Sequence, residues 1–500
     1  MPGAYGKDAS QAVDWRCKIW GTSMGFVRSG ISAVVLAALL AGCGGGGGGS
    51  GTVSQPGTAS PAPTPTASGC SLRARQDWVL STLREWYLFP ETLPSNLDPA
   101  GYTSVDTYLD ALTATARGQG RDRYFTYLTS IAEENAYYTS GSSAGFGFRL
   151  SNDGNGVTVM ESFEGGSALQ AGIDRGTQIL AIGTSNSDLR DVSTLYSAQG
   201  AAGITEALGP STVGTTRVLR VRNVDGPVST VRTVTLTKTD YSLLPVSDRY
   251  GTQILTDPNG GGRVGYVNLR TFISTADPAL RAAFASFKAQ GIDKVIVDLR
   301  YNGGGLVSIA ELFGNLLGGA RARSDVFSFT TFRPEKSANN STTYFAPQAE
   351  SVAPTRIAFI GTRATASASE LVINGMLPYF RTNLGLIGTN TYGKPVGQVA
   401  IDRSECDDRL RVIAFATQNA NRQGSYFNGL ASTVEASCTA ADDTSRPLGD
   451  VREASVKAAL DFVAGRSCSA ISGIGVAAAP RALLSPDRPS TAQREVPGLF

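Results

Sequence analysis

A serine attacks a carbonyl only if something takes its proton, and this 500-residue chain contains no histidine to do so. That absence closes off Ser-His-Asp triads, histidine-bearing zinc sites and histidine pH switches together. Proton transfer falls to Lys, Asp, Glu, Tyr or Cys. In Thr365-Ala366-Ser367-Ala368-Ser369-Glu370, two serines stand at a predicted strand-to-helix junction. Free backbone N–H groups and the positive end of the helix dipole there suit a developing oxyanion. Read alone, the run is equally an N-cap with Glu370 as its capping-box partner. Lys394 lies 27 residues after Ser367. A lysine whose ammonium is disfavoured by burial can serve as general base, and without histidine a Ser-Lys dyad is the leading way to activate a hydroxyl. The second segment, Val297-Asp298-Leu299-Arg300-Tyr301-Asn302-Gly303-Gly304-Gly305, is an apolar strand running into three glycines. Such a run turns tightly and presents bare N–H groups to a bound oxygen.

Other matches fail on inspection. The run Gly44 to Gly49 satisfies a dinucleotide fingerprint trivially, and Gly-x-Ser-x-Gly around Ser23 and Ser143 has no histidine to serve it. No serine has a lysine three residues on, and Gly393-Lys394 lacks the remainder of a phosphate loop. A net charge of +2 from 44 basic and 42 acidic side chains leaves no footprint for nucleic acid.

The elements that must hold these residues follow from periodicity. Residues 70–138 show apolar positions at helical spacing (Trp78, Val79, Leu83, Trp86; Tyr108, Leu109, Leu112) and read as a small N-terminal helical subdomain. Residues 139–240 change to short strands and glycine turns, with one short helix starting near Ser167. Past Gly262 the pattern is strand then helix: Val264 to Leu269 before a helix opened by Asp277-Pro278, Val295 to Leu299 before Ser308 to Leu317, and Ile357 to Gly361 before Ser367 to Leu377. Repeated strand-helix units predict a mixed α/β fold with a largely parallel sheet, whose ligands sit beyond the carboxyl ends of strands. The loops after Leu299 and Gly361 are therefore where chemistry is expected.

At this point three runs, Asp298 to Gly305, Thr365 to Glu370 and Thr391-Tyr392-Gly393-Lys394-Pro395-Val396-Gly397-Gln398, resemble the S41 C-terminal processing peptidases, or tail-specific proteases. They occur in family order within residues 262–400. The resemblance implies a serine endopeptidase with Ser367 as nucleophile, Lys394 as general base, Gln398 orienting the amine, and an oxyanion hole from the N–H groups of Ala368 and Gly304. It also implies a crotonase-like spiral of β-β-α units for residues 241–468, and no cofactor. Pro395 stands where better-known members have glycine, and the Ser-to-Lys interval is about two residues longer than theirs. Ser369 is the competing nucleophile by position. Gly145-Phe146-Gly147-Phe148 resembles the carboxylate-binding loop of PDZ domains, with Gly166 to Ile173 and Gly176 to Gly183 resembling their helix and next strand. An inserted PDZ-like domain would read the apolar C-terminus of a protein or peptide substrate. Two rivals remain: a non-catalytic PDZ-type peptide-binding lipoprotein, and a Ser-Lys amidase or esterase for small substrates.

The N-terminus sets location. From Met24 the chain runs through Arg28, an apolar stretch from Ile31 to Leu40, then Ala41-Gly42-Cys43, which reads as an export signal too short to span a bilayer. Leu40-Ala41-Gly42-Cys43 resembles a bacterial lipobox, so Cys43 is the expected lipidation site, and residues 1–43 are leader. Residues 44–69, rich in Gly, Ser, Thr and Pro, read as a tether. The expected setting is the periplasmic side of a bacterial membrane, the outer membrane by preference, with the lipid as the sole membrane contact and room for an activator lipoprotein as partner. Cys70, Cys406, Cys438 and Cys468 favour disulfides over metal, there being no Cys-x-x-Cys. Three pairings are open, with Cys406–Cys438 and Cys70–Cys468 preferred. Residues 469–500 read as a tail of no assigned role.

Overall fold

The computed structural model describes residues 68–154, 156–225, 228–472 and 482–500; the leader, Cys43 and most of the tether lie outside them. A six-stranded sheet forms the centre, in the order Thr252–Thr256, Arg263–Asn268, Lys294–Asp298, Arg356–Gly361, Leu384–Gly388, Ala436–Thr439. The first pair is antiparallel and the others are parallel. Its central strands are apolar through Val295 to Val297 and Ile357 to Ile360 because helices cover both faces. Val295 and Val297 point into a cluster with Leu280, Phe284, Phe313, Val372 and Met376 from three helices, Ala276–Ala289, Val307–Leu317 and Ala368–Phe380. Ile296, one residue out of phase, points the other way, toward Val456 and Leu460 of the helix Ala454–Val463. The mixed α/β expectation holds.

Parallel register brings Asp298 beside Ile360 and Gly361 beside Gly388, so the loops leaving three adjacent strands open at the same edge. Those loops contain Gly303 to Gly305, Ser367 and Lys394. Beneath them Arg300 is fully enclosed, bonded to Asp298 at 2.7 Å and Glu453 at 2.8 Å. A buried charge survives only when paired in this way.

The N-terminal helices Leu72–Trp86 and Val105–Gly118 do not close a core of their own. Val79, Leu83 and Leu109 pack with Val396, Leu410, Val412 and Ile413 from a second, antiparallel sheet. That sheet takes Tyr127–Ser130 at its edge, against Asp408–Gln418. Between these layers in sequence lies a β-domain. Ser142–Gly145 pairs with Thr239–Ser242, and a seven-stranded sheet contains Phe148–Asn152, Val157–Ser162, Gln178–Gly183, Thr216–Asp225 and Val228–Thr237. Its short helix Ser167–Gln170 begins where the sequence predicts, while the helices Val192–Gln199 and Ala201–Leu208 add a face that periodicity did not reveal.

The preferred cysteine pairing is overturned: the bridges are Cys70–Cys406 and Cys438–Cys468. The reason is packing. Helix Leu72–Trp86 lies along Asp408–Gln418, which brings Cys70 to the turn before that strand, and Arg75 pairs with Asp408 at 2.5 Å beside it. Cys70–Cys406 closes 336 residues, so the Cys70→Ser/Cys406→Ser variant is expected to lose about 2–5 kcal/mol of stability by denaturant unfolding. An unchanged midpoint would show that the bridge adds nothing to the sheet contacts.

Candidate active site

Ser367 sits at the N-terminus of helix Ala368–Phe380 with φ of 55°, a positive value that a non-glycine residue holds only when its surroundings force it. The forcing group is Glu370, fully buried one turn on. Its Oε2 accepts the N–H of Ser367 at 3.1 Å and the N–H of Lys394 at 2.7 Å. Its Oε1 accepts the Gly393 N–H at 2.7 Å and the Thr391 hydroxyl at 2.6 Å. One carboxylate therefore fastens the candidate nucleophile and the candidate base to a common point. Burial pushes its pKa up, opposed by those four donors. The capping reading of Glu370 and the catalytic reading of Ser367 are thus not alternatives: the cap is the device that sets the two segments side by side.

Lys394 is partly enclosed, and burial lowers its pKa, with the nearby Glu495 carboxylate opposing the shift. Its Nζ donates to Gln398 Oε1 at 3.3 Å and stands 5.2 Å from the centre of the Phe125 ring. Gln398 presents its oxygen to the amine because its Nε2 donates to the Phe125 carbonyl. The structure thus brings the Gln398 side chain to the Lys394 amine.

The glycine loop meets the serine directly. A side chain on Gly304 would put its Cβ 2.7 Å from Ser367 Cβ and 3.1 Å from the Ala368 nitrogen, and φ is 123°, so only glycine fits. Gly304, Ala368 and Ser367 are therefore one cluster. The Gly304 N–H donates to Asn302 Oδ1 at 2.9 Å, and the Asn302 amide in turn donates to the Leu269 carbonyl at 2.8 Å. Ser369 has a different fate: its side chain is wholly buried and its hydroxyl donates to the Asn302 carbonyl at 3.1 Å. It braces the loop and faces no cleft.

Other residues around the site escaped the sequence reading. Asp122, fully buried, accepts the N–H groups of Phe125 and Thr126 and the Tyr87 hydroxyl, shaping a loop from the N-terminal segment. From that loop Arg123 donates to the carbonyls of Tyr392, Gly393 and Phe427, steadying the turn before Lys394. The only signal in the sequence is a dense Arg121-Asp122-Arg123 turn between apolar runs. A cavity of about 1170 Å³ opens here, lined by Lys394, Thr126, Tyr301 and Gly303, and closed on its other side by residues 482–497.

In the β-domain, Gly145 to Phe148 lead into the edge of the strand Phe148–Asn152. The Gly147 and Phe148 N–H groups both point at the Phe500 backbone oxygen, at 3.0 and 3.3 Å. A Cβ on Gly145 would fall 2.8 Å from the Phe500 carbonyl carbon, so a side chain there would exclude that contact. The four residues thus form a loop that holds a backbone oxygen.

Residues 263–435 match the profile of peptidase family S41, and residues 74–127 match the peptidase S41 N-terminal domain. The chain is 29% identical over 286 residues to a chloroplastic C-terminal processing peptidase of Tetradesmus obliquus, covering 53% of this chain and 54% of that protein. It is 27% identical over 338 residues to a carboxyl-terminal-processing protease of a Synechocystis species, covering 66% and 68%. The chain thus spans about half the length of the first of these relatives. Among solved structures, a putative S41 protease from Bacteroides fragilis superposes with a TM-score of 0.60 at 24% identity, over 78% of this chain and 97% of that one, which shows the fold.

Proposed function

We propose that this chain, built on an S41 N-terminal domain and a peptidase family S41 domain, is a serine endopeptidase in which Ser367 attacks and Lys394 takes its proton. The observation that carries the reading is Glu370, whose one oxygen holds the backbone of both residues. The hydroxyl proton passes to neutral Lys394 Nζ as Ser367 Oγ bonds to the scissile carbonyl carbon. Charge moves to the carbonyl oxygen, which the N–H groups of Ala368 and Gly304 receive; the Gly304 N–H exchanges its Asn302 partner for it. The ammonium then protonates the leaving amine, and water releases the acyl-enzyme. Gln398 holds the amine in line throughout. The β-domain acts as a PDZ domain: a substrate's C-terminal oxygen would bind the Gly147 and Phe148 N–H groups while its chain adds to Phe148–Asn152. Export and lipidation at Cys43 complete the proposal and put the enzyme on the periplasmic face of the membrane.

The test is digestion of an unfolded protein ending in apolar residues, beside the same protein with an amidated C-terminus. The free terminus is expected to be cut about tenfold faster or more, since a charge-assisted pair of hydrogen bonds is lost on amidation. Equal rates would remove the PDZ reading; no cutting of either would remove the peptidase reading. The rate should also climb with pH through one ionisation. Only the neutral amine is a base, and burial moves that ionisation below the ordinary lysine value. A rate that falls across that limb would exclude Lys394 as the base.

A further inference from the structure

Residues 469–500 read as a tail of no assigned role, yet the structure packs residues 482–500 of it against both halves of the proposed site. At the β-domain, the segment adds to the edge of Phe148–Asn152 as an extra strand. Phe500 N–H donates to the Phe148 carbonyl at 3.0 Å and Leu150 N–H to the Gly498 carbonyl at 2.8 Å, with Ala482–Leu483 paired farther along the same edge. Phe500, 4% exposed, is buried in the cluster of Phe146, Phe148, Ile204 and Leu208, and Leu499 lies with Phe163 and Tyr241. At the cleft, the helix Thr491–Glu495 sits over the glycine loop, and the Gly303 N–H donates to the Glu495 carbonyl at 2.8 Å. The Glu495 carboxylate accepts from Tyr138 at 3.0 Å and favours the charged form of Lys394, the form that cannot take a proton. Arg494 stacks on the Tyr127 ring at 3.8 Å, and Arg488 pairs with Asp110 at 2.8 Å. Hydrogen bonds, apolar burial and ion pairs thus anchor the segment from end to end.

We propose that residues 482–500 are a built-in competitor for substrate: Gly498 to Phe500 fill the groove that takes a substrate's C-terminus, while Ser490 to Glu495 cover the loop before Ser367. The claim that the segment occupies the groove stands on the contacts alone; the claim that it competes with substrate rests on the peptidase reading above. Because the competitor is tethered, its effective concentration is in the millimolar range, and only a strong or multiply engaged terminus displaces it. The segment also names what a displacing substrate must offer: an extended stretch with a large apolar side chain in the place of Phe500, preceded by a second apolar residue.

Three measurements on the full chain separate these claims. In the Ser367→Ala background, which turns over nothing, hydrogen exchange at the Gly147, Leu150 and Gly303 amides is compared between the natural tail and Leu499→Asp/Phe500→Asp. Exchange at least about tenfold faster in the variant is expected at all three; equal exchange overturns the docking. Binding of the fluorescein-labelled peptide Arg-Glu-Val-Pro-Gly-Leu-Phe, read by anisotropy, should be at least about tenfold tighter to the variant, and equal affinity overturns the competition. With Ser367 restored, the tail variant should cut an unfolded substrate at least about tenfold faster, and the free peptide in excess should slow it. Faster exchange with unchanged cutting would overturn the blocking role; faster exchange in a chain that never cuts leaves the docking standing and removes the peptidase reading. Arg488→Glu loosens the other end without touching the groove, and should move exchange and cutting in the same direction by a smaller factor. A fall in either would overturn the proposal even if Leu499→Asp/Phe500→Asp fails to fold.

Discussion

Ser367→Ala abolishes cleavage of an unfolded protein substrate, with kcat down by about 10⁴-fold or more, while the near-ultraviolet spectrum and unfolding midpoint stay close to the parent. The size follows from the chemistry. Without Oγ there is no covalent intermediate, and the oxyanion donors at Ala368 and Gly304 retain only their share of the rate enhancement. The structural effect is small because Ser367 holds its position through its backbone N–H to Glu370, which alanine keeps. Lys394→Ala falls by a similar factor, and the double variant is no slower than either single, since nucleophile and base act as a unit. Lys394→Arg is equally inert: a guanidinium is never neutral in a protein. Ser369→Ala gives the contrast. It removes the hydroxyl that braces the Asn302 carbonyl, costs about 1 kcal/mol of stability, and keeps cleavage within about tenfold. Steady-state kinetics on the five variants decide the matter, and a Ser367→Ala chain that still cuts beside an inert Ser369→Ala would reverse the assignment.

Much of this arrangement was legible because local patterns and tertiary structure agree. Each of Val295 to Val297 and Ile357 to Ile360 is apolar whichever face it meets, so the strands read as buried runs, and the glycines and small residues after them mark where the backbone must approach another group. What stayed hidden depends on docking. The cysteine pairing is decided by helix Leu72–Trp86 lying on Asp408–Gln418, a contact between segments more than 300 residues apart that no spacing rule encodes. Arg149, Arg270 and Arg300 carry no sign of burial in their sequence, yet each is 1% exposed and paired with Glu161, Glu164 or Asp298. The last 19 residues carry no periodicity, because a strand edge and a five-residue helix acquire their form from the surfaces beneath them. Asp122 holds its own loop by accepting backbone N–H groups and Arg123 steadies the lysine turn by donating to backbone carbonyls, partners invisible in side-chain identity.

Glu370→Gln tests the junction on which the site depends, and its expected effect on rate, smaller than that of removing the nucleophile, comes with a large loss of stability. Four donors converge on two oxygens, so only the ionised carboxylate satisfies all of them. In glutamine one oxygen still accepts, while the NH₂ faces two donors it cannot accept from. At about 1–3 kcal/mol for each buried group left unpaired, the variant should lose roughly 2–6 kcal/mol of stability. The strained backbone at Ser367 then relaxes, because its positive φ is held by that hydrogen bond. Ser367 and Lys394 lose their common anchor, and a displacement on the order of 1 Å between reacting groups costs about 10²-fold in kcat. Binding of a C-terminal peptide should be unchanged, since the groove at Gly145 to Phe148 belongs to the β-domain and contains no atom of Glu370. Glu370→Asp keeps the charge but is one methylene shorter, so it should recover part of the stability and little of the rate. A Glu370→Gln chain with near-parental kcat at low temperature, where it remains folded, would show that the two segments are positioned by the sheet alone.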